Sequence, residues 1–113
     1  MITVYGIQTC DTCRKARRWL KNNDVQHRFH DLRKDGLDPD TLRGWIERVG
    51  WEPLLNRRST TWRNLDESRR TDLDARSAAA LMAANPTLVK RPVLEADDKL
   101  LVGFAESDYQ NLL

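Results

Sequence analysis

Apolar positions change their period along this chain. Ile2 to Tyr5 is a short run rich in β-branched residues and reads as a strand, with Gly6 breaking it. From Cys10 to Asn23 the spacing turns helical, with Cys13, Ala16 and Leu20 on one face and Trp19 beside them. Thr9 is the expected N-cap, and Asn22-Asn23-Asp24 the expected end. Val25, His27 and Phe29 then alternate as a second strand. Two strands joined by a helix imply a parallel pair with a right-handed crossover, closed here by Asp35-Gly36.

The middle of the chain is helical. Asp38 caps a helix that has Pro39 at its first position. Leu42, Trp45, Ile46 and Val49 keep the i, i+3, i+4, i+7 spacing, and Gly50 ends the run. A second helix is expected from about Leu73 through the alanine-rich stretch to Ala84, ended by Asn85-Pro86. Between them, the basic, hydroxyl-rich segment from Arg57 to Asn64 reads as a loop or a short helix. Trp45 and Trp62 read as packing residues, and Trp51 as part of a lid or contact surface.

The end returns to strands. Val93-Leu94 after Pro92 and Leu100 to Val102 flank a polar turn from Glu95 to Lys99, which predicts an antiparallel hairpin. Glu106 to Leu113 is expected as a closing helix. The order β-α-β, helices, β-β-α is an α/β, thioredoxin-like arrangement: one domain over 1–113 with a helical insertion at about 38–85.

Composition narrows the class without choosing a function. The 113 residues are 40% hydrophobic and 32% charged, ordinary for a soluble single domain that builds its own core. No apolar run approaches membrane-spanning length, and the N-terminal stretch lacks a basic region followed by an apolar one. With two free-standing cysteines, this points to a reducing, cytoplasmic setting. A net charge of +2 gives no global case for nucleic acid or an anionic membrane, although cations cluster at Arg14 to Arg18 and Arg57 to Arg63. The ordinary surface composition points to a monomer.

The chemistry lies in Cys10-Asp11-Thr12-Cys13. Placed between a strand and a helix, a C-x-x-C reads as a thiol–disulfide motif. Free N–H groups at a helix start favour negative charge, and such sites bring a cysteine pKa from about 8.5 to roughly 3.5–7.5. Cys10 is the expected nucleophile. Cys13 is either a resolving thiol or a small apolar residue on the buried helix face. Asp11 opposes the thiolate by about 1 kcal/mol or less if exposed. Cys10, Cys13, His27 and His30 nearly form a zinc pattern, but the H-x2-H spacing is too short, and His27 sits on an alternating strand. No metal is expected, and no G-x-G-x-x-G or P-loop implies a nucleotide or flavin.

Several segments in order resemble the ArsC/Spx family: the Cys10 start, Asn56-Arg57-Arg58-Ser59-Thr60-Thr61-Trp62, Asn85-Pro86, Lys90-Arg91-Pro92 and Val102-Gly103-Phe104. Tyr5-Gly6-Ile7, Cys10-Asp11-Thr12 and Leu55-Asn56-Arg57-Arg58 are most similar to its YffB-type branch. The resemblance implies a thiol reductase with Cys10 as reactive cysteine and glutathione as co-substrate, with no bound cofactor. It implies that Arg91-Pro92 carries a cis proline facing the cysteine. Arg58, or Arg57 one position earlier, matches the family's second arginine. Guanidinium groups there would steady a thiolate and bind a carboxylate or oxyanion. Arg14, one helical turn after Cys10, is a further candidate for anion binding.

Two other functions fall within the same resemblance. The family's arsenate reductases carry a third arginine after the last strand, where this chain reads Leu101-Val102-Gly103-Phe104-Ala105, and this weighs against arsenate. The Spx regulators use a C-x-x-C as a redox switch while contacting RNA polymerase, so a regulator is the alternative to a reductase.

Overall fold

A computed structural model describes residues 1–113. In chain order the elements are β1 (Ile2–Gly6), α1 (Asp11–Asn22), β2 (His27–Asp31), α2 (Leu32–Asp35), α3 (Pro39–Val49), α4 (Thr60–Arg63), α5 (Glu67–Arg70), α6 (Ala75–Ala84), a 3-10 turn (Pro86–Leu88), β3 (Val93–Glu95), β4 (Leu100–Val102) and α7 (Glu106–Gln110). The chain forms two compact units, Met1–Asp35 with Arg91–Leu113, and Gly36–Lys90.

The first unit is built on a sheet of order β2-β1-β3-β4. β1 and β2 are parallel, and β3 runs antiparallel to both β1 and β4. The register puts three chain ends together. Gly6 closes β1 opposite Asp31, the last residue of β2, and Tyr5 pairs with Val93, the first residue of β3. The turn leading to α1 and the Arg91-Pro92 step into β3 therefore emerge at one end of the sheet.

Val4 and Leu94 from the sheet, Ala16 and Leu20 from α1, and Tyr109 from α7 form this unit's buried cluster. Trp19 and Phe104 meet the Tyr109 ring edge-on, with centroids 5.6 and 4.8 Å away, a favoured aromatic arrangement.

In the second unit α3 and α6 pack together. Leu42, Trp45, Ala78 and Met82 are buried, as the helical spacing requires. The Asp38 carboxylate accepts from the Asp40 N–H at 2.8 Å, Pro39 opens α3, and Gly50 ends it at φ 86°. Asp74 and Ser77 form a reciprocal cap on α6, so that helix starts at Ala75, after the expected Leu73. An isolated bridge joins Leu55 to Val89.

Further local expectations shift: β2 starts at His27, so Val25 lies before the strand. Gly6 belongs to β1 instead of breaking it. The N-cap of α1 is Cys10, with Thr9 left in the preceding turn, because the Cys10 carbonyl accepts the first helical bond from Arg14 N–H at 3.0 Å. The last helix stops at Gln110. No helix is long and apolar enough to cross a membrane.

Candidate active site

Cys10 is half-buried where the β1–α1 turn becomes helix. Its own N–H donates to the Ile7 carbonyl at 3.0 Å, which tightens the turn and fixes the sulfur at the helix entrance. Burial works against a thiolate there. It is outweighed by hydrogen bonds from the Cys13 N–H, the Cys13 thiol and Arg91, and by the positive charge of Arg91, so the Cys10 pKa falls below the ordinary thiol value.

Cys13 is its chemical opposite. It is buried on the same face as Ala16 and Leu20. Burial, together with the hydrogen bond and charge of Cys10, pushes its thiol up to about 12 despite a bond from the Ile7 N–H. At neutral pH Cys13 keeps its proton and can donate it towards Cys10. Once Cys10 is consumed in a disulfide, the adjacent negative charge disappears and Cys13 becomes easier to deprotonate. Cys13 therefore packs in the core, as its apolar reading expects, and its thiol also meets the reactive sulfur.

Arg91 and Pro92 stand at the entry to β3, joined by a cis peptide bond, as the resemblance implies. Pro92 is buried, and its carbonyl accepts from the Gly103 N–H at 2.8 Å, tying the Arg91-Pro92 step to the end of β4. Arg14 is engaged by its own turn. Its Nε donates to the Gln8 carbonyl at 3.2 Å and its Nη1 meets Asp11 at 3.4 Å, so it braces the turn before Cys10.

Arg57 and Arg58 lie in the second unit. The Arg57 guanidinium lies over the rings of both Trp51 and Trp62, 5.9 and 5.8 Å from their centroids. Arg58 is exposed, and only its backbone N–H is engaged, by the Asn56 side chain at 3.1 Å.

The pattern of the sequence does not single out Asp31 or Tyr109. Asp31 is buried at the end of β2, where its carboxylate accepts from the N–H groups of Gln8, Arg33 and Lys34 at 3.3, 2.8 and 3.1 Å. Burial opposes its charge, but these bonds and Lys34 prevail and hold the carboxyl below its usual range. It thus ties the Gln8 turn to the start of α2. An acidic residue at a strand–helix junction is the signal that points to such a role. Tyr109 is fully buried with no hydrogen-bond partner for its hydroxyl, and burial and the Cys13 charge raise its pKa.

His27 Nδ1 lies 3.0 Å from the Val25 carbonyl, and the His30 ring rests on Tyr5 at 4.8 Å. No group of three or more His, Cys, Asp or Glu is arranged to hold a metal.

An activated cysteine at a helix start, served by an arginine from the step before an antiparallel strand, on a sheet of this order, defines a thioredoxin-like thiol-redox protein. The chain belongs to the ArsC family, whose model matches residues 5–112. It is 51% identical over 110 residues to an uncharacterised protein of Haemophilus influenzae, covering 97% of this chain and 96% of the other. The structure of a YffB protein superposes with a TM-score of 0.95 at 45% identity, over 98% of this chain and 97% of that one. The solution structure of an arsenate reductase (ArsC) related protein from Brucella melitensis gives 0.77 at 51% identity, over 97% and 92%. The global transcriptional regulator Spx of Listeria innocua is 28% identical over the whole of this chain and 87% of its own.

Proposed function

We propose that this protein is a glutathione-dependent thiol reductase in which Cys10 is the nucleophile. The observation that carries the reading is the division of labour between the two cysteines. Cys10 is held towards the thiolate by the Cys13 N–H, the Cys13 thiol and Arg91, while Cys13 is held protonated. The Cys10 thiolate attacks one sulfur of an oxidised substrate such as a glutathione mixed disulfide. A Cys10–glutathione disulfide forms, and the substrate thiol leaves with its electron pair and takes up a proton. A glutathione thiolate then attacks that disulfide, releasing oxidised glutathione and restoring Cys10. Alternatively Cys13 displaces glutathione after losing its proton, and the internal disulfide is reduced in turn by external thiol.

Arg91 steadies the thiolate, and Pro92 positions an extended peptide-like ligand at the start of β3. Of the paired arginines of the second unit, Arg57 is engaged by Trp51 and Trp62, which leaves Arg58 as the one exposed and open to an anion. The experiment is incubation with oxidised glutathione followed by intact mass measurement. One glutathione on Cys10, or its conversion to a Cys10–Cys13 disulfide, is expected. The absence of both, with no thiol-dependent turnover, overturns the reading.

A regulator is the second reading, favoured by the likeness to Spx proteins and by the thiol of Cys13 lying against Cys10. Cys10–Cys13 would then be a switch controlling contact with RNA polymerase. Retention of polymerase in one redox state alone is its test. Arsenate-dependent oxidation of glutathione, lost in Cys10→Ser, would instead establish arsenate reduction.

A further inference from the structure

One surface of the first unit has a charge that its own residues do not balance. A groove of about 730 Å³ runs beside α1, lined by Arg14, Arg17, Arg18 and Lys21, and reaches Met1 and His27 at the start of β2. No carboxylate lines it. Arg14 alone among these cations has an acidic partner, Asp11 at 3.4 Å, and that pair is largely exposed. Arg17 is fixed by lying 4.1 Å over the Phe29 ring. Arg18 and Lys21 are exposed and unpaired.

The groove is tied to the Cys10 turn through Arg14. Arg14 Nε holds the Gln8 carbonyl, two residues before Cys10. From Arg14 to Lys21 the helix rises about 10 Å, so the cations continue away from Cys10 along the face of α1. β2, where the groove ends, is an edge strand of the sheet. A ligand occupying this surface is brought to Cys10 from one side, and a row of cations, three of the four without an acidic partner, selects it by negative charge.

We infer that this groove docks an acidic segment of a protein that carries the disulfide attacked by Cys10. A nucleic acid fits less well: it brings no disulfide to the cysteine, and no Phe, Tyr or Trp lines the groove for bases to stack on. The purpose of docking rests on the proposed reductase function, but the docking itself is measurable without it.

The test uses Cys10→Ser protein, which cannot carry out the exchange at residue 10, and fluorescence anisotropy with labelled peptides of equal length. One is rich in Glu and Asp, the other in Lys. Saturable binding of the acidic peptide alone is expected. It should weaken about tenfold or more when salt rises from about 0.05 to about 0.3 M, and by a similar factor in Arg18→Glu/Lys21→Glu. Arg48→Glu/Arg69→Glu changes net charge equally on exposed positions of the second unit and should leave most of the binding. Equal loss in both pairs, tighter binding of a short single-stranded oligonucleotide, or displacement of the peptide by S-methylglutathione would each overturn the inference. Failure of oxidised glutathione to modify wild-type Cys10, with acidic-peptide binding intact, would instead remove the reductase reading and leave the docking surface standing.

Discussion

The backbone of Gly6 runs directly against the sulfur of Cys13: a β-carbon on residue 6 would stand 2.5 Å from Sγ and 3.3 Å from the Cys13 β-carbon. That is closer than such atoms pack, and neither partner can yield, one being in a paired strand and the other on a buried helix face. Gly6→Ala should therefore destabilise the protein by about 1–3 kcal/mol, read from the midpoint of urea unfolding. Cys13→Ala removes the sulfur, so the double variant should lose less than the sum of the two single changes. Strict additivity would show that the close approach has no energetic weight.

The same packing separates the cysteines in reactivity. Cys13 is 1% exposed and its thiol is raised to about 12, whereas Cys10 is half-buried with a lowered pKa. Native protein treated with iodoacetamide at neutral pH should take up one equivalent, on Cys10, at least about tenfold faster than a second. Unfolding in urea should make the two comparable. Equal native rates would contradict the assignment of Cys13 as a proton-bearing core residue.

Sequence periodicity carried the scaffold because buried faces impose spacing. Cys13, Ala16 and Leu20 mark the inner side of α1, and Leu42 and Trp45 that of α3. The cis Arg91-Pro92 step was legible only through ordered family motifs, since periodicity says nothing about a step between two elements. Register explains what was hidden. Asp31 looks like one more charge on a polar strand until pairing with Gly6 sets it below the Gln8 turn. Gly6 looks like a strand breaker because the sulfur that requires it lies on another element. Arg57 and Arg58 are equivalent by composition and differ only once Trp51 and Trp62 engage the first.

Arg91 supplies both a hydrogen bond and a positive charge to Cys10. Removing it should raise the Cys10 pKa, because the thiolate loses its cation while the thiol loses little. In Arg91→Ala, the rate of reaction with a small neutral disulfide should reach half its plateau at higher pH than in wild type. At slightly acidic pH the rate should fall roughly tenfold, with a smaller deficit at alkaline pH. Arg91→Lys should keep the charge while losing the fork geometry, and so restore part of the profile. Superimposable pH profiles would remove Arg91 from the site.

Asp31 gives an acid-dependent prediction of definite sign. Its carboxyl is depressed in the folded protein, so between the folded pKa and the unfolded value of about 3.9 the unfolded chain binds more protons. Its stabilisation is present above that range and is lost as pH falls through it. Asp31→Asn keeps the size but has no carboxylate to serve the Gln8, Arg33 and Lys34 N–H groups together. The variant should be less stable at pH 7 by about 1–2 kcal/mol, by analogy with loss of a helix cap. The difference in unfolding free energy should shrink as pH falls below about 4, where wild type also loses the charge. Because Gln8 belongs to the turn that sets Cys10, the variant should also react more slowly with a small disulfide at pH 7. A gap that is constant with pH would mean that the Asp31 charge contributes nothing to the fold.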